Sequence, residues 1–466
     1  MTQTVQLPLW LFVLIVLFAA VTALSHFLLP SVRWFFRRRF ERAVERLNKR
    51  LKRPIQPFKL AQRYDMIQRL IYDPEVTREI VAYAEKNKVP ENVAFQKAQA
   101  YAREIVPSFS AFAYFSFGIR LAKFLAEAVY RIRTSPRNDA ILAAIPPNAT
   151  PVFVMNHRSN MDYVLVTYLA SKTSTLSYAV GEWARVWPLS SLIRMWGAYF
   201  IRRTSRGALY RKVLSRYVQM ATNGGDTQAF YPEGGLSLTG RLQPPKVGLL
   251  SYLVEGFDPA GARDIVFVPV AINYDRVLED RVLMAAHARG DRRFGARISV
   301  VVAFIARKFW KRLRGQDTRF GAAAVSFGDP VSLRAFGKAE DVDGLSALLM
   351  ARIEAVMPVL AVPLLAQALL EGGPMDAAAL EQAVAANIAQ IPERSIAVDT
   401  GALAKELREA CGHMAQHGLI AQRGTHWQIM EDQQGAMEFY ANSIAHYLPK
   451  AHDAAVAEKF SATAGS

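Results

Sequence analysis

An apolar stretch of this chain is interrupted by a histidine and an aspartate that lie five positions apart. The stretch reads FVMNHRSNMDYVLV over residues 153–166, and it places His157 and Asp162 between two apolar runs. A carboxylate that accepts a hydrogen bond from an imidazole fixes its tautomer, so that the other ring nitrogen is free to take a proton from an alcohol. The pair therefore indicates general-base chemistry on a substrate that supplies its own hydroxyl group. The alternative is an ordinary capping aspartate beside a loop histidine.

The two side chains can meet only if the chain turns between them. A five-residue step on a regular helix leaves them about 140° apart, and on a strand they point to opposite faces. The intervening residues predict a strand end, then Ser159 or Asn160 as a helix N-cap, then Asp162 in the first helical turn. A strand-to-helix turn is thus the element that must position the pair.

Two later segments place arginines or glycines directly after apolar runs. GAYFIRRTSRG puts Arg202 and Arg203 after a predicted strand, and guanidinium groups suit a phosphate monoester. YPEGGLSLTGR puts Glu233 at a strand end, before Gly234 and Gly235. Two glycines allow a ligand to approach the backbone closely. These segments indicate that a phosphorylated substrate binds beyond the strand ends.

The same region adds two cations and a proline within a strand. Arg241 and Lys246 follow the glycines in GRLQPPKVGLL and contribute positive charge nearby. VFVPVAINYDRV carries Pro269 inside an apolar run, which predicts an edge strand or a ligand-facing bend because proline cannot donate to the sheet ladder. Each segment alone is weak evidence, but the four in this order favour the general-base interpretation of His157.

The pattern around these segments predicts an α/β domain from residue 150 to about 335. Short apolar runs end in polar turns there, and helical stretches separate most of them, as is typical of a largely buried sheet. Polar residues just beyond the strand ends usually form the site in such domains. The predicted strands lie in PVFVMN, GAYFIRR, TQAFYPEGG, IVFVPVAINYD, RISVVVAFI and AAAVSFGDP.

Helical segments flank the predicted α/β domain. Residues 54–106 read as helices, with Asp73 as the N-cap of one that begins at Pro74. Residues 110–133 are apolar and aromatic apart from one polar stripe, so the rest of that helix must face a core or lipid. After about residue 340 the chain is helical and ends in a predicted hairpin around Arg423–Gly424, an outline that resembles a small winged-helix module. We favour a structural role for this module over DNA binding.

The N-terminal residues predict a membrane anchor. Residues 7–30 contain no Lys, Arg, Asp or Glu, and a helix of that length rises about 36 Å, enough to cross a hydrocarbon core. Residues 31–53 carry ten basic and two acidic residues, which by the positive-inside rule places the rest of the chain in the cytoplasm. We expect an uncleaved anchor followed by an amphipathic helix on anionic headgroups. A cleaved signal peptide and a solvated helix are the alternatives.

Composition agrees with a globular protein that has an acidic partner. The 466 residues are 52% apolar and 21% charged, and the formal net charge is +17. Cys411 is the single cysteine, so no internal disulfide is possible. The predicted organisation is an N-terminal tail (1–6), a transmembrane anchor (7–30), a basic amphipathic helical region (31–135), an α/β catalytic domain (136–340) and a helical C-terminal domain (341–466).

At the four interruptions the sequence resembles the bacterial membrane-bound glycerol-3-phosphate acyltransferases. NHRSNMD, GAYFIRR, YPEGGLSLTGR and VFVPVAINY match the four acyltransferase blocks of that family in order and rough spacing. The long third block favours this family over the lysophosphatidate acyltransferases, and the resemblance covers roughly residues 70–450. It implies a mixed sheet flanked by helices, with a helical N-terminal region and a helical C-terminal domain.

The resemblance implies transfer of a fatty acyl group from acyl-CoA or acyl carrier protein to the sn-1 hydroxyl of glycerol 3-phosphate. The product would be lysophosphatidate, and no metal or cofactor would be needed. His157 would be the general base and Asp162 its partner. The residues expected to bind substrate, by motif position or as nearby donors, are Arg158, Ser159, Asn160, Arg202, Arg203, Glu233, Gly234, Gly235, Arg241 and Lys246.

One departure from the family pattern concerns the third block, where Leu236 and Leu238 replace two arginines. Arg241 and Lys246 would then compensate, or the phosphate would rest on the Arg202–Arg203 block. Alternative functions are the same fold with lysophosphatidate or dihydroxyacetone phosphate as acceptor, a non-catalytic membrane-anchored binding protein, and a tethered nucleic-acid binder. The basic residues concentrate beside the anchor, which favours an anionic phospholipid membrane as partner, no nucleic acid, and a location at the cytoplasmic face of the inner membrane.

Overall fold

The computed structural model describes residues 53–60, 63–170, 175–181, 189–202, 207–290 and 320–448, together with positions 8, 13, 16, 45, 48 and 314. Nearly all of the predicted anchor and of the predicted amphipathic helix, and the whole predicted strand RISVVVAFI, lie outside these residues. Within the described residues, no helix is both long and apolar enough to cross a membrane. The chain divides into two compact units, Met1–Pro54 and Ile55–Ser466, and every element below belongs to the second.

Eight strands of the described residues form one mixed sheet. Their order is β1–β7–β6–β2–β5–β3–β4, and β8 pairs with β6 outside this path. β6 runs antiparallel to β7 and β8, and the other pairs are parallel. This sheet confirms the predicted α/β class. The strands are β1 Arg131–Thr134, β2 Thr150–Met155, β3 Ser177–Gly181, β4 Tyr199–Ile201, β5 Gln228–Phe230, β6 Ile265–Tyr274, β7 Ala322–Phe327 and β8 Val331–Ser332.

Helices precede the sheet, connect its strands and follow it. The first group is α1 Pro57–Leu60, α2 Arg63–Ile71, α3 Pro74–Asn87, α4 Glu91–Ile105 and α5 Ile119–Val129. Those within the sheet region are α6 Arg137–Ala144, α7 Met161–Ala170, α8 Leu189–Met195, α9 Ala208–Asn223, α10 Gly248–Glu255, α11 Asp280–Ala288 and α12 Leu333–Phe336. The C-terminal group is α13 Val342–Glu354, α14 Ala361–Gly372, α15 Ala377–Ile388, α16 Leu403–Gln416 and α17 Gln434–Ala441.

The central strands β2 and β6 are buried along their whole length. Alternate side chains of a strand point to opposite faces of the sheet, and here the two faces pack into two different apolar clusters. Phe153 and Val268 join a cluster with the C-terminal helices, whereas Val154 and Phe267 join one with the N-terminal helices and α9. Helices therefore cover both faces, and the polar ends of the strands are left for a site.

Pro269 lies in central strand β6, so the prediction of an edge strand or a ligand-facing bend is wrong. On one side it is opposite Val154 of β2. On the other side β6 pairs with β8 at Val266 and Phe267 and with β7 from Val270 onward. Pro269 falls at the change of neighbour, where its carbonyl still accepts a hydrogen bond from the Gly328 amide at 2.8 Å. A residue without an N–H group is tolerated at this break in the ladder.

Of the helices predicted before the sheet, the one capped by Asp73 begins where it was predicted to begin. The one predicted over residues 110–133 is shorter than predicted. Asp73 caps α3 as predicted, because its carboxylate accepts hydrogen bonds from the amides of Glu75 and Val76. The helix predicted over residues 110–133 contains a π-helical turn, Ala113–Gly118, near its start and ends at Val129. Residues 131–134 form β1, a short edge strand with two arginines that the helical pattern concealed.

The predicted hairpin near the C-terminus is confirmed. β9 Ile420–Arg423 pairs antiparallel with β10 His426–Ile429, and Arg423 is opposite His426. Gly424 in the turn has φ +61°, a left-handed conformation that favours glycine. Helices α15 and α16 precede the hairpin, and α17 follows it. The winged-helix interpretation and the predicted domain boundaries stay predictions.

Candidate active site

The predicted strand-to-helix turn brings His157 and Asp162 together. β2 ends at Met155 and α7 begins at Met161, so the loop between them carries the histidine while the aspartate sits in the first helical turn. The His157 Nδ1 atom lies 2.9 Å from Oδ2 of Asp162. Both side chains are buried. Ser159 caps the helix, since its Oγ accepts a hydrogen bond from the Met161 amide at 3.1 Å.

The Asp162 carboxylate accepts hydrogen bonds from four donors. Besides the imidazole, Oδ2 accepts the backbone amides of Arg158 at 2.8 Å and Ser159 at 3.1 Å. Oδ1 accepts the hydroxyl of Tyr274, at the end of β6, at 2.5 Å. Because an ionised carboxylate can only accept, Nδ1 of His157 must carry the proton. The Nε2 atom is therefore the one left to accept a proton.

Two further carboxylates hold the same loop. Glu233 accepts the His157 backbone amide at 2.8 Å and the Gln243 amide at 2.9 Å. Glu279 accepts the hydroxyl of Ser159 at 2.8 Å and both the backbone and side-chain amides of Asn160, at 3.2 and 3.0 Å. Both are buried, and burial raises the pKa of Glu279 and brings that of Glu233 to about 7.

The amides of residues 157–161 are thus all bonded to side-chain oxygens. The Glu233 side chain accepts the first of these amides, and Asp162 accepts the second and third. Glu279 accepts the fourth, and the Ser159 hydroxyl accepts the fifth. A loop without regular structure is fixed in this way by groups from distant parts of the chain. The loop amides are consequently not available to bind a substrate.

Aromatic rings fix the plane of the imidazole. The Tyr231 ring stacks on His157 with centroids 4.0 Å apart and planes 22° apart. The Tyr163 ring meets the imidazole edge-on at 5.5 Å. Asn156 ties the end of β2 to β6, because its side-chain amide donates to the Ile272 carbonyl at 2.9 Å and accepts the Ile272 amide at 2.7 Å. The base is therefore held in one orientation.

The glycine loop, residues 234–241, lies against the loop of residues 156–160, which we call the histidine loop. The Ser237 amide donates to the His157 carbonyl at 2.9 Å. Gly234 has φ +66°, and a Cβ there would lie 2.8 Å from Cδ of Lys246, so a larger residue would be both strained and crowded. Gly235 is half-buried beside it. The two predicted glycines therefore lie next to the predicted base.

The predicted cations have different surroundings. Arg158 is buried, donates to the Gly240 carbonyl, and has its guanidinium 5.5 Å from the centre of the Phe439 ring. Arg241 donates from Nε to the Asn442 side-chain oxygen at 3.2 Å. The Lys246 side chain is exposed and has no ion-pair partner among the described residues.

Arg202 binds a carboxylate of the protein itself. Its Nε and Nη2 atoms donate to the two oxygens of Glu104 at 2.8 and 2.6 Å. The guanidinium also lies close to the rings of Tyr101 and Tyr210, 5.4 and 5.7 Å from their centres. Its bidentate fork is therefore occupied, and the predicted phosphate contact of Arg202 stays a prediction. Arg203 lies outside the described residues.

Leu236 and Leu238 are half-buried and pack against the larger apolar cluster. Leu238 also lines a cleft of 370 Å³ with apolar neighbours that include Met284 and Phe439. The two leucines therefore occupy apolar surroundings where the family pattern has arginines. Within the described residues, no group of three or more His, Cys, Asp or Glu side chains is placed to hold a metal ion.

Sequence reasoning missed Tyr274, Glu279, Tyr231 and Asn156. Tyr274 ends an apolar strand, so the rule that polar residues at strand ends form the site could have found it. Glu279 had no such signal, because it precedes a helix and reaches the loop only through the tertiary fold.

Comparisons with known proteins match two parts of the chain to family models. Residues 138–273 match the one described as Acyltransferase, and residues 306–462 match the one described as Glycerol-3-phosphate acyltransferase C-terminal region. Two relatives are each 30% identical to this chain, over 280 and 302 residues. They are the glycerol-3-phosphate acyltransferases of Pseudomonas entomophila (strain L48) and Xylella fastidiosa (strain M23). These alignments cover 59% and 64% of this chain but 32% and 34% of the relatives, so the chain spans about a third of their length.

Among solved structures, the chain is similar to the 1-acyl-sn-glycerophosphate (LPA) acyltransferase of Thermotoga maritima. The two are 19% identical, the match covers 51% of this chain and 79% of that one, and the TM-score is 0.28.

Glu233 is expected to make stability depend on pH. Its pKa is about 7 in the folded chain against 4.5 for an exposed glutamate, so the folded state favours the protonated form. A raised folded-state pKa gives a stabilising contribution that is complete below pH 4.5 and is lost as the pH rises through 7. The unfolding free energy of the wild type minus that of Glu233→Gln should therefore fall across this range in urea titrations.

The exposed Glu85 provides the control, because Glu85→Gln removes a carboxylate that lies on the surface. A wild-type advantage over Glu233→Gln that grows with pH would contradict the prediction. It would mean that the two amide donors outweigh burial.

Proposed function

We propose that the chain is a member of the glycerol-3-phosphate acyltransferase family, and that it transfers a fatty acyl group from a thioester to the sn-1 hydroxyl of glycerol 3-phosphate. The product is lysophosphatidate, made in the first step of phospholipid synthesis. The observation that carries this proposal is the buried His157–Asp162 pair, in which Nδ1 is engaged and Nε2 is left to act as a base. The names of the relatives support glycerol 3-phosphate as the acceptor. The alignments cover only part of those proteins.

The proposed reaction needs one base. Nε2 of His157 takes the proton of the sn-1 hydroxyl while that oxygen attacks the thioester carbonyl carbon. Asp162 stabilises the imidazolium that results, without itself becoming protonated. The tetrahedral intermediate then collapses, the carbon–sulfur bond breaks, and the thiolate leaves with the proton that His157 returns. Either acyl-CoA or acyl carrier protein would supply this leaving group.

The oxyanion of the intermediate requires hydrogen-bond donors from outside the histidine loop. The loop amides are bonded to side chains, and Arg158 is buried against Gly240 and Phe439. The backbone amides of Gly235 and Leu236 make no hydrogen bond to the described residues, and Ser237 beside them contacts the His157 carbonyl. We assign the oxyanion donors to these two amides.

The phosphate of the acceptor is assigned to the third block. Lys246 lies beside Gly234, near the base, and its ammonium group is free to bind an anion. The fork of Arg202 is engaged by Glu104, which weakens the earlier assignment to the second block. Arg241 and Arg203 are the other candidate cations.

The proposed partners include an anionic membrane at the cytoplasmic face of the inner membrane. The helical segment that begins near residue 111 exposes the rings of Phe112, Phe117 and Phe124, which are 73%, 54% and 40% accessible. Arg120 and Lys123 are exposed between them. Aromatic rings interspersed with cations suit the boundary between headgroups and acyl chains. Such a face would place the site beside its lipid product.

His157→Ala is expected to abolish transfer, because a general base contributes about 10²- to 10⁴-fold to the rate. Asp162→Asn should cost a similar factor, since the ring would lose its orienting carboxylate. The measurement is formation of labelled lysophosphatidate from radiolabelled glycerol 3-phosphate and palmitoyl-CoA by the purified chain in detergent. Lysophosphatidate and dihydroxyacetone phosphate serve as competing acceptors.

His287→Ala is the matched control, because that histidine lies in α11, away from the pair. A folded His157→Ala protein with near-normal turnover would refute the mechanism. A wild-type chain that acylates only another acceptor would refute the proposed substrate.

Lys246→Ala is expected to raise the KM for glycerol 3-phosphate by about 10- to 150-fold, the range for a lost hydrogen bond to a charged group. The KM for the acyl donor should change little. Lys338→Ala, which removes an exposed lysine from a distant turn, is the control.

Arg202→Lys should lower stability rather than affinity, since it breaks the bidentate bond to Glu104.

If Arg202→Lys or Arg203→Lys raises that KM while Lys246→Ala does not, the phosphate lies at the second block. Leu236→Arg is the complementary change. Tighter acceptor binding in this variant would show that the leucine replaces a phosphate contact.

The membrane face is tested by a fluorophore whose emission depends on polarity, attached to Phe117→Cys. Cys411 is buried, so the introduced thiol is the accessible one. In vesicles of phosphatidylcholine with about 30% phosphatidylglycerol, emission at position 117 should shift to the blue and resist an aqueous quencher. Tyr72→Cys, at a surface residue that is 66% accessible, is the control. Equal quenching at both positions would contradict a membrane-inserted face.

A further inference from the structure

The chain segment Phe439–Ser443, at the end of α17, lies outside the four sequence blocks but contacts residues that hold the site in place. We call it the clamp segment. It follows the C-terminal hairpin. Strands β3 to β8 and the C-terminal helices lie between it and the histidine loop along the chain. Phe439, Tyr440 and Ser443 are buried, and Asn442 is half-buried.

The clamp segment holds the glycine loop through both backbone and side chains. The Asn442 side-chain amide donates to the Thr239 carbonyl at 2.9 Å, and its oxygen accepts Nε of Arg241 at 3.2 Å. Gly240 has φ +84°, and a Cβ there would lie 1.9 Å from the Phe439 carbonyl oxygen. The two backbones therefore touch at a position where only glycine fits.

The same segment supports Arg158, the residue after the base. The guanidinium lies over the Phe439 ring and donates to the Gly240 carbonyl. Its Nε and Nη2 atoms have no hydrogen-bond partner among the described residues. Burial without full pairing lowers the pKa of Arg158, and the ring face supplies part of the missing compensation. Arg158 thus joins the histidine loop to the clamp segment.

Two more contacts link the clamp segment to the neighbours of Glu279 and Tyr274, which hold the histidine loop and Asp162. Tyr440 donates its hydroxyl to Asp280 at 2.8 Å, and Asp280 directly follows Glu279, which holds Ser159 and Asn160. Ser443 Oγ accepts the side-chain amide of Asn273 at 3.2 Å, and Asn273 precedes Tyr274, the donor to Asp162. The clamp segment therefore contacts the glycine loop, the Glu279 turn and the end of β6.

We infer that the clamp segment positions His157 and Asp162 for catalysis, with Asn442 and Phe439 as positioning residues. They act through the glycine loop: Asn442 fixes Thr239 and Arg241, and Ser237 of that loop in turn bonds the His157 carbonyl. Small displacements of reacting groups are costly, since a shift of about 1 Å can lower the rate by about 100-fold. This inference deepens the proposed function and rests on it.

The test uses Asn442→Ala and Asn442→Leu in the full-length chain. Both remove the two hydrogen bonds, and leucine keeps most of the volume, so it covers the case in which the alanine variant fails to fold. We expect kcat to fall by about 10- to 100-fold with the KM for both substrates within about twofold. Amide hydrogen exchange should become faster in peptides that cover residues 157–162 and 234–243.

Tyr447→Phe is the matched control. Its hydroxyl lies in the same C-terminal region, within hydrogen-bond distance of the carbonyls of Glu354 and Met357, at 3.0 and 3.2 Å, and of Ser395 Oγ, at 2.8 Å. The control should lose thermal stability but keep its kcat and the exchange rates of the two peptides. An effect on stability alone, in all variants alike, would overturn the positioning role.

Unchanged kcat and unchanged exchange in the Asn442 variants would also overturn it. Failure of the proposed function gives a different result. In that case the wild type and Tyr447→Phe would both be inactive with glycerol 3-phosphate, while the exchange measurement would still report whether Asn442 holds the loops.

Discussion

Asp162 accepts hydrogen bonds from an imidazole, two backbone amides and a tyrosine hydroxyl in a region without water access. A buried carboxylate is costly unless its oxygens are satisfied, and here four donors share that task. Each donor comes with a constraint on the chain: the loop must turn after β2, and β6 must end at Tyr274. The rest of the site depends on this arrangement, because the tautomer of His157 follows from it.

The histidine loop shows a general way to build a rigid site without regular structure. Its consecutive amides each meet a side-chain oxygen, from Glu233, Asp162, Glu279 or Ser159. Carboxylates thus do the work that a neighbouring strand does in a sheet. The cost is three buried acids around one loop, and Arg158 is the buried cation that offsets part of it. An approaching substrate meets a loop whose own donors are already used.

Local patterns in the sequence predicted what local physics determines. Strand ends, the N-cap at Asp73, the hairpin at Gly424 and the turn between His157 and Asp162 all follow from neighbouring residues. The features that these patterns did not predict share a different cause. Glu104, in a distant helix, accepts hydrogen bonds from Arg202. Pro269 is tolerated because two strands share one side of β6. Glu279 contacts the histidine loop only because the fold brings the two together. No pattern within a short window contains these long-range pairings.

The contact between Phe439 and Gly240 also has a consequence for biosynthesis. Chains are made from the N-terminus, so the sheet, the histidine loop and the glycine loop all leave the ribosome before residue 439 does. The glycine loop then lacks the backbone and the Asn442 amide that rest against it. Closure of these non-local contacts must wait until residues 439–443 have been translated, and such contacts form slowly. The nascent polypeptide thus carries its histidine and aspartate in an incomplete setting until residues 439–443 have been made, so that translation of this later segment completes the site.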